Sequence, residues 1–526
     1  MAHNASAQRS HWSTPLELSP TRSAVNTGQT RNYGSSWFPD ITTDHNGRLA
    51  VTWYSGVAID PEEGGLLDLL MYREYSNGQW TAPIELFAPA TGGLTVRHSI
   101  LVGRDGKLHL FYRLGMAIVY TNAPFAAARL PQSWSEPKRI SGSEPTYYVA
   151  AATDSKGSLH VIYSENVADD PNQPNLVCSG CSDLFYRRSV DGGQTWSPPF
   201  NLSQSPDGVT HPQIKIDVFD RIHIVWNEGI DTFVGGGQPH RGVYIRSDDG
   251  GNSWVDRYYF ELPSPAYNAM LRQMASSGTS PTTLAHPKAV VQTALGLDDQ
   301  GNPLVVFRGA HYDRIYSQFS PDGGRNWLPA QELIGLVARP TTYDNYSMTT
   351  DSAGNIHLAA CAYQVNEQID TFTPPTLWHL VWSNQRWIMR EVIMQNELYP
   401  EYPKMITSNG NQLHVVWFTR NRDDLFTSER SRYRVWYSQR NLGVPAATAL
   451  PTFTATAIAI TNQSAVTATP TPAPTATPLP AGIAQAPPMT SKPVWESAAL
   501  VVIGSSLLLS IALISLIVFV RWRLSR

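Results

Sequence analysis

A motif of eight residues that occurs three times constrains the fold of this chain more than any other feature. In the first copy, Ser189 is followed by Asp191, Gly193 and Trp196, and the preceding residues alternate in character as in a strand. Glycine supplies the positive φ that a tight hairpin turn requires, and an aspartate beside such a turn accepts hydrogen bonds from its backbone amides. Each copy therefore predicts a β-hairpin whose second strand begins at the tryptophan. The other copies are Ser247, Asp249, Gly251 and Trp254, and Ser320, Asp322, Gly324 and Trp327.

These motifs belong to a longer repeat of roughly fifty residues, a period typical of propeller blades. Each unit contains an apolar strand that follows a turn with Asp or Asn and Gly. We predict this strand at residues 47–53, 106–112, 157–163, 220–226, 301–307, 354–360 and 410–417. The pattern predicts an all-β fold, a β-propeller of four-stranded blades. We count seven units, or six if the fifth, which is displaced by an insertion at 264–283, is miscounted.

The last unit lacks its fourth strand, and the amino terminus supplies a matching segment. Residues 12–18 match residues 80–86 and 196–202, which are fourth strands of other units. We therefore predict that Trp12–Leu18 pairs beside the strand near Trp436. This pairing closes the ring, and a closed ring leaves no long exposed strand edge.

Five histidines occupy one position of the repeat, between apolar neighbours. They are His109, His160, His223, His357 and His414. Equivalent positions of different blades lie on different radii of a ring and do not converge. We therefore predict that these histidines serve packing and hydrogen bonding rather than metal binding.

Net charge and cysteine content narrow the classes of function. The formal net charge of -4 over 526 residues gives no reason to expect a nucleic-acid partner. Cys178 and Cys181 lack a second cysteine pair that would complete a zinc site, so they form either a small disulfide loop or two free thiols. Cys361 lies in an apolar strand and is predicted to be a buried thiol. No acidic loop has the spacing of a calcium site, and we predict no metal and no cofactor.

The carboxy-terminal part of the chain differs in composition from the rest. We predict that the propeller spans 11–440 and that 441–493, rich in Ala, Thr and Pro, is a disordered stalk. Residues 494–521 are predicted to form a transmembrane helix, because 498–520 carry no charge and are long enough to cross a bilayer. Arginines follow this segment, so the short basic tail at 522–526 is predicted to be cytoplasmic. The propeller would then be extracellular on a single-pass protein of the cell membrane.

The amino terminus conflicts with this topology. An exported amino terminus normally needs a signal peptide, and Met1–Ser10 contains no apolar stretch of that kind. We therefore expect the true start to lie upstream, or the leader to be missing from this sequence. The alternative is a tail-anchored cytoplasmic protein.

Candidate functional residues lie at two positions of each unit: the start of the first strand and the loop after the second. In a propeller both positions reach the same face, near the central channel. The first position holds Arg97, His98, Tyr147, Tyr148, His211, His286, Tyr346, Glu401 and Tyr402. The second holds Tyr54, Arg113, Glu165, Glu228, Arg308, Tyr363 and Arg420.

The three Ser-x-Asp-x-Gly motifs resemble the Asp-box repeats of the sialidase superfamily. This resemblance implies a propeller whose site grips a sugar carboxylate with three arginines and attacks with a tyrosine that a glutamate activates. Both ideas agree with side-chain chemistry, since guanidinium groups match carboxylates and a carboxylate can accept a phenol proton. Carried over, the arginines are Arg97, Arg308 and Arg420, the base is Glu165 or Glu228, and the nucleophile is Tyr148, Tyr346 or Tyr402. Asp40 and Asp60 are candidates for the acid.

The chain also departs from the sialidase pattern. The signature Phe/Tyr-Arg-Ile-Pro is replaced by Val96-Arg97-His98-Ser99, which keeps the arginine and loses the proline. We therefore predict a membrane-anchored extracellular propeller that acts on or recognises a glycan or glycoprotein at the cell surface. The alternatives are an exo-α-sialidase-type glycoside hydrolase and a non-catalytic protein-interaction propeller.

Overall fold

The structure is a computed structural model of the whole chain. It describes residues 11–19, 22–24, 30–60, 65–89, 97–142, 144–167, 182–205, 207–229, 238–278, 284–339, 341, 344–365, 369, 372–422 and 433–447. Cys178, Cys181, the predicted stalk beyond residue 447 and the predicted helix and tail all lie outside these residues. Within the described part of the chain, no helix has the length and hydrophobicity needed to span a membrane.

The described residues form antiparallel strands that hydrogen bonds join into six sheets. The chain begins with β1 (Leu16–Glu17). The next sheet contains β2 (Arg22–Ala24), β3 (Thr30–Thr43), β4 (Leu49–Asp60), β5 (Gly65–Ser76), β6 (Gln79–Trp80) and β7 (Ile84–Phe87). It is followed by a sheet of β8 (Ser99–Val102), β9 (Lys107–Leu114), β10 (Ala117–Pro124) and β11 (Lys138–Arg139). Two 3-10 helices, Phe125–Ala127 and Pro131–Ser133, lie between β10 and β11.

The middle of the chain forms two further four-stranded sheets. One contains β12 (Val149–Thr153), β13 (Leu159–Asn166), β14 (Ser182–Ser189) and β15 (Phe200–Asn201). The other contains β16 (Val209–Ile216), β17 (Ile222–Glu228), β18 (Arg241–Ser247) and β19 (Tyr258–Phe260). The insertion that follows β19 folds into the helix α1 (Ser264–Ser276).

The last part of the propeller contains an eight-stranded sheet and the sheet that closes the ring. The first has β20 (Val290–Leu297), β21 (Pro303–Gly309), β22 (Arg314–Phe319), β23 (Gln331–Ala338), β24 (Tyr346–Thr350), β25 (Ile356–Gln364), β26 (Thr376–Ser383) and β27 (Arg386–Met394). The second has β28 (Tyr399–Ser408), β29 (Gln412–Arg420) and β30 (Arg434–Asn441), together with β1.

The prediction of an all-β propeller is confirmed. All seven predicted apolar strands exist, as β4, β9, β13, β17, β21, β25 and β29, each starting one or two residues after the predicted position. The first strand of each unit contacts the next in a closed order, β3, β8, β12, β16, β20, β24, β28 and back to β3. These inner strands surround the central channel.

The number of sheets in the described residues differs from the predicted number of separate blades. The end of strand β23 pairs with β22 on one edge and with β25 on the other, with Leu336 opposite Gln364 and Ala338 opposite Ala362. Two repeat units therefore share one eight-stranded sheet, and the hydrogen-bonded sheets number six rather than seven.

The amino-terminal strand closes the ring as predicted. Leu16 pairs with Tyr437 and Glu17 pairs with Trp436 in an antiparallel register. The Ser13 amide donates to the Gln439 carbonyl at 2.8 Å, which extends the pairing beyond β1. The closing strand thus lies along the edge of β30.

The three motif turns share one hydrogen-bond geometry. In the first, Ser189 Oγ donates to Asp191 Oδ1 at 2.7 Å, and the Gly193 and Thr195 amides donate to Ser189 Oγ and Asp191 Oδ1. The same bonds recur around Ser247 and Asp249 and around Ser320 and Asp322. The predicted role of the aspartate as an acceptor for the turn is therefore confirmed.

The predicted start of the second hairpin strand is wrong in all three motifs, since β15, β19 and β23 each begin four residues after the tryptophan. Strand β15 begins at Phe200, four residues after Trp196. The Trp196 side chain instead packs edge-on against the rings of Phe111 and Tyr120 in the preceding sheet, with centroids 5.7 and 5.2 Å away. Packing between blades therefore determines where this tryptophan lies.

The repeated histidines form buried hydrogen-bond networks, as predicted. His109 bonds Tyr120 through Nδ1 at 2.8 Å and Asp105 through Nε2 at 3.0 Å, and the Tyr120 hydroxyl donates to the Gly192 carbonyl. His160 and His223 bond a tyrosine and an aspartate in the same way. Since Tyr120 and Gly192 belong to different sheets, the network ties neighbouring blades together.

We expect Gly193→Ala to lower the free energy of unfolding by about 3 kcal/mol, because overpacking adds to an unfavourable φ. Gly193 has a φ of +86°, and a Cβ there would overlap the Tyr120 hydroxyl. The control is Gly78→Ala, since Gly78 has a φ of +79° and open space around it, so a cost of only about 1 kcal/mol is expected. Urea unfolding of both variants measures the difference, and equal costs would contradict the proposed contact.

Candidate functional site

Four inner strands carry a β-bulge at the same place, where they enter the channel. In each, two residues lie opposite one residue of the neighbouring strand. The first of the two residues in each bulge has a positive φ. These residues are Phe38, His211, Gln292 and Tyr402, with φ of 48°, 55°, 58° and 52°. Glycine usually occupies such a position, because other side chains are strained at positive φ. Strained residues of this kind concentrate at functional sites, which makes the channel mouth the first place to search.

Arg97 is the central side chain of the channel mouth. Its guanidinium carbon lies 4.8 Å from the ring centroid of Tyr148, 5.0 Å from that of Phe38 and 5.4 Å from that of Tyr402. Such aromatic faces attract a cation. Arg97 therefore lies beside Tyr148 and Tyr402, two of the three candidate nucleophiles. Tyr402 also packs edge-on against Phe38 at 5.1 Å.

Asp344 provides the carboxylate of the channel mouth. Its Oδ2 lies 3.5 Å from Arg97 Nε, and its Oδ1 lies 3.6 Å from His211 Nε2. Burial raises the pKa of Asp344, but Arg97, His211 and Lys404 outweigh burial and hold this pKa below its usual value. Asp344 is therefore an anion that orients both Arg97 and His211.

The connection between β23 and β24 places Asp344 at this position. Ala338 pairs with Ala362 and Tyr346 pairs with Ala360, so the connection crosses β25 at Cys361. The Cys361 amide donates to the Asn345 carbonyl at 3.0 Å, which anchors the end of this connection. As predicted, Cys361 is a buried free thiol.

The channel contains a cavity of about 290 Å³ that begins at the mouth. The mouth residues Arg97, Tyr148, His211, Asp344 and Tyr402 form one part of its wall. Asp40, Lys215 and Lys404, farther along the inner strands, form another part. Asp40, one of the two candidate acids, accepts hydrogen bonds from the Ile41 and Ile100 amides at 3.0 and 2.9 Å. Burial raises the pKa of Asp40 to about 6, although Lys404 counteracts burial. Asp60, the other candidate acid, is the last residue of β4, and the structure describes only its backbone.

Arg308 lies near the end of β21, and its charge acts on Tyr346 at the start of the inner strand β24. Arg308 Nε donates to Gln292 Oε1 at 3.2 Å, and Asn345 Nδ2 donates to the same oxygen at 3.1 Å. Burial raises the pKa of Tyr346, and the charge of Arg308 counteracts this effect. The bulge residue Gln292 thus holds Arg308, the second predicted arginine, in place.

Arg420, the third predicted arginine, is paired inside the protein. Its Nε donates to Glu401 Oε1 at 2.9 Å, and Arg339 Nη1 lies 2.8 Å from the same oxygen. Glu401 is fully buried, so one carboxylate serves as counter-ion to two arginines. The bulge residue Tyr402 directly follows Glu401 in the chain and connects this ion cluster to the channel mouth.

The two predicted glutamates also have defined partners. Glu165 Oε2 accepts a hydrogen bond from the Gly142 amide at 2.8 Å, and Glu228 Oε2 accepts one from Arg241 Nε at 2.9 Å. Their role as a base for a tyrosine nucleophile stays a prediction. Among the described residues, no group of His, Cys, Asp and Glu could hold a metal ion.

Sequence reasoning missed Asp344, Arg339, Lys215 and Lys404. A signal for the bulges was present, because proline follows three of the four bulge residues, in Phe38-Pro39, His211-Pro212 and Tyr402-Pro403. Lys404 comes directly after the last of these pairs and before the apolar residues Met405 and Ile406. A polar residue after an aromatic-proline or histidine-proline pair therefore indicates the channel wall in this chain.

The fold and this polar channel mouth define a β-propeller with one candidate site on its axis. No protein-family model matches the chain, and no curated protein matches it. Similar solved structures include an ulvan lyase of a polysaccharide lyase family, 13% identical with a TM-score of 0.48, covering 77% of this chain and 94% of that one. They also include an intramolecular trans-sialidase from Ruminococcus gnavus, 11% identical with a TM-score of 0.40, covering 78% and 95%. A Trypanosoma rangeli sialidase is 12% identical with a TM-score of 0.39, covering 81% and 59%. Sialidases, whose Asp-box motif this sequence resembles, are thus among the structures to which it is similar.

Proposed function

We propose that this propeller binds the acidic end of a glycan in the mouth of its channel. The observation that carries the proposal is the environment of Arg97, whose guanidinium lies among three aromatic rings on the wall of the channel cavity. A guanidinium group recognises a carboxylate through paired, charge-assisted hydrogen bonds. Aromatic walls with a few placed polar groups are typical of small-molecule sites.

The other groups at the mouth suit a sugar. Asp344 and His211 can exchange hydrogen bonds with hydroxyl groups, and Tyr148 and Tyr402 offer both ring faces and phenol groups. The cavity of about 290 Å³ lies just below the usual range for ligand pockets, which is about 300–1,000 Å³. This size favours one terminal sugar over a long internal segment of polysaccharide.

We expect Arg97→Gln to weaken binding of an acidic glycan at least 100-fold, which corresponds to about 2.7 kcal/mol. Calorimetric titration with sialyllactose and with a glucuronate-terminated disaccharide measures the effect, with lactose as the neutral control. Arg97→Lys should also bind weakly, because an ammonium group lacks the planar fork of arginine.

Arg139→Gln is the matched control, because Arg139 is an exposed arginine paired with Glu144 at 3.0 Å. This variant should bind like the unmodified protein. Equal affinity for lactose and sialyllactose, or full binding by Arg97→Gln, would refute the proposal. Binding to a deglycosylated protein ligand would instead support the interaction-propeller alternative.

Hydrolysis is a second candidate function, favoured by the surroundings of Tyr402. Lys404 Nζ lies 4.6 Å from its ring centroid, and Arg97 lies on the same ring. Burial raises the pKa of Tyr402, and Asp344 and Asp40 act in the same direction, whereas Lys404 and Arg97 counteract this rise only in part by stabilising the phenolate. Release of 4-methylumbelliferone from its sialoside tests this function, with Tyr402→Phe and Tyr148→Phe as variants that retain the rings.

We further propose that the propeller is held at the cell surface by the stalk and the membrane helix at 494–521. The support is the composition of the sequence, in which an uncharged segment at 498–520 follows a stretch rich in Pro and Thr and precedes arginines. Cell fractionation with and without detergent tests the anchor, and protease treatment of intact cells tests on which side the propeller lies.

A further inference from the structure

The channel below its mouth carries two lysines that face the same cavity. Lys215 comes from β16 and Lys404 comes from β28, and both line the cavity with Asp40 from β3. Neither lysine is fully exposed or fully buried, because part of each side chain contacts the cavity. Their ammonium groups therefore share an enclosed space with limited water.

The two lysines differ in their partners. Burial lowers the pKa of Lys404, but Tyr402, Asp344 and Asp40 outweigh burial and raise it. Lys215 Nζ donates to the Met348 carbonyl at 2.9 Å, and this neutral oxygen is its hydrogen-bond acceptor among the described residues. Burial and the charge of Lys404 lower the pKa of Lys215 to about 8. An ammonium group has three donors, so Lys215 can bind a further acceptor.

The charges on the cavity wall do not balance. Arg97, Lys215 and Lys404 are cationic, whereas Asp40 and Asp344 are anionic, which leaves one positive charge when His211 is neutral. Like charges repel strongly where water is scarce, and buried charges are normally paired. A single bound negative charge would neutralise the wall.

We propose that the channel holds a singly charged anion between Lys215 and Lys404. The anion is a carboxylate or a small inorganic ion, since both offer a compact negative charge to two ammonium groups. The proposed anion shares the cavity and its charge balance with Arg97, but its ligands are Lys215 and Lys404. It goes beyond the proposed glycan function because it is tested with a simple anion and without a glycan.

Bromide is the first probe, because its anomalous scattering locates it directly in crystals of the unmodified protein. We expect a bromide peak within contact distance of both ammonium nitrogen atoms. Lys215→Met should remove this peak, and Lys156→Met, which changes an exposed lysine, should retain it. Crystals that show bromide on the protein surface but none in the channel would overturn the proposal.

A titration in solution provides a second measurement that needs no crystal. Calorimetry with sodium acetate should show saturable binding by the unmodified protein and by Lys156→Met, and binding at least tenfold weaker in Lys215→Met and Lys404→Met. Thermal unfolding without acetate checks that each variant is folded. Equal acetate binding by all four proteins, or none by the unmodified protein, would overturn the proposal.

The two sources of the anion are distinguished by adding the acidic glycan of the functional assay. If the carboxylate of a glycan is the natural occupant, sialyllactose should displace bromide and should bind at least tenfold more weakly to Lys215→Met. If the occupant is a free ion, sialyllactose should leave bromide in place and bind Lys215→Met normally. Failure of sialyllactose to bind at all refutes the proposed glycan function and leaves the bromide result standing.

Discussion

Glu401→Gln is expected to lower the free energy of unfolding by about 3–5 kcal/mol, which is the usual effect of breaking a buried ion pair. Glu401 is fully buried, and its Oε1 accepts a hydrogen bond from Arg420 Nε and lies 2.8 Å from Arg339 Nη1 in an ion pair. Glutamine keeps the shape of the side chain but removes the charge. Two arginine charges with little exposure to water would then have no counter-ion.

Urea unfolding measures this change, and Glu332→Gln provides a control of the same chemical kind. Glu332 lies 3.7 Å from Arg314 in a partly exposed ion pair. Exposed ion pairs contribute at most about 1 kcal/mol, so this control should lose less than that. If Glu401→Gln and Glu332→Gln lowered the free energy of unfolding equally, the buried ion cluster of Glu401, Arg339 and Arg420 would not stabilise the fold.

Removing the two apolar side chains that anchor the closing strand should lower the free energy of unfolding by about 5 kcal/mol or more. The double variant combines Trp12→Ala, for which about 3–5 kcal/mol is expected, with Leu18→Ala, for which about 2–5 kcal/mol is expected. Both side chains are buried, and the Leu18 amide donates to the Val435 carbonyl at 2.8 Å. A loss of this size approaches the whole stability of a typical domain.

The same strand provides the control for this experiment. Leu16 lies between the two anchors but its side chain is 45% exposed, so Leu16→Ala should change stability by less than about 1 kcal/mol. Circular dichroism during urea unfolding compares the variants. A double variant as stable as Leu16→Ala would show that the ring does not depend on this strand, despite the pairing of β1 with β30.

Much of the fold could be predicted because its signals are local or repeated. The spacing of Ser189, Asp191 and Gly193 specifies a turn by itself, and the match between residues 12–18 and 80–86 identifies the closing strand. The joined sheet could not be predicted in this way. Strand β23 pairs with its sequence neighbour β22 and also with β25 of the next unit, and the second pairing depends on a more distant partner.

The candidate site was predicted in part for a similar reason. Arg97 and Tyr148 occupy repeat positions that reach the channel in every unit, so their proximity follows from the propeller. Asp344 lies in the connection between β23 and β24, and the repeat pattern does not indicate which side chain of such a connection reaches the channel. Arg420 has the right repeat position, but the sequence does not show that buried Glu401 neutralises it.

Because β1 pairs with β30, the first and last strands of the propeller lie side by side in one sheet. Ser13 and Gln439 are far apart in the chain, yet the amide of one donates to the carbonyl of the other at 2.8 Å. A short peptide could therefore join the two ends of the propeller, and new termini could be opened at an uncrowded surface turn such as that of Gly78. Such a circular permutant should fold to the same ring, with the order of its repeats rotated along the gene.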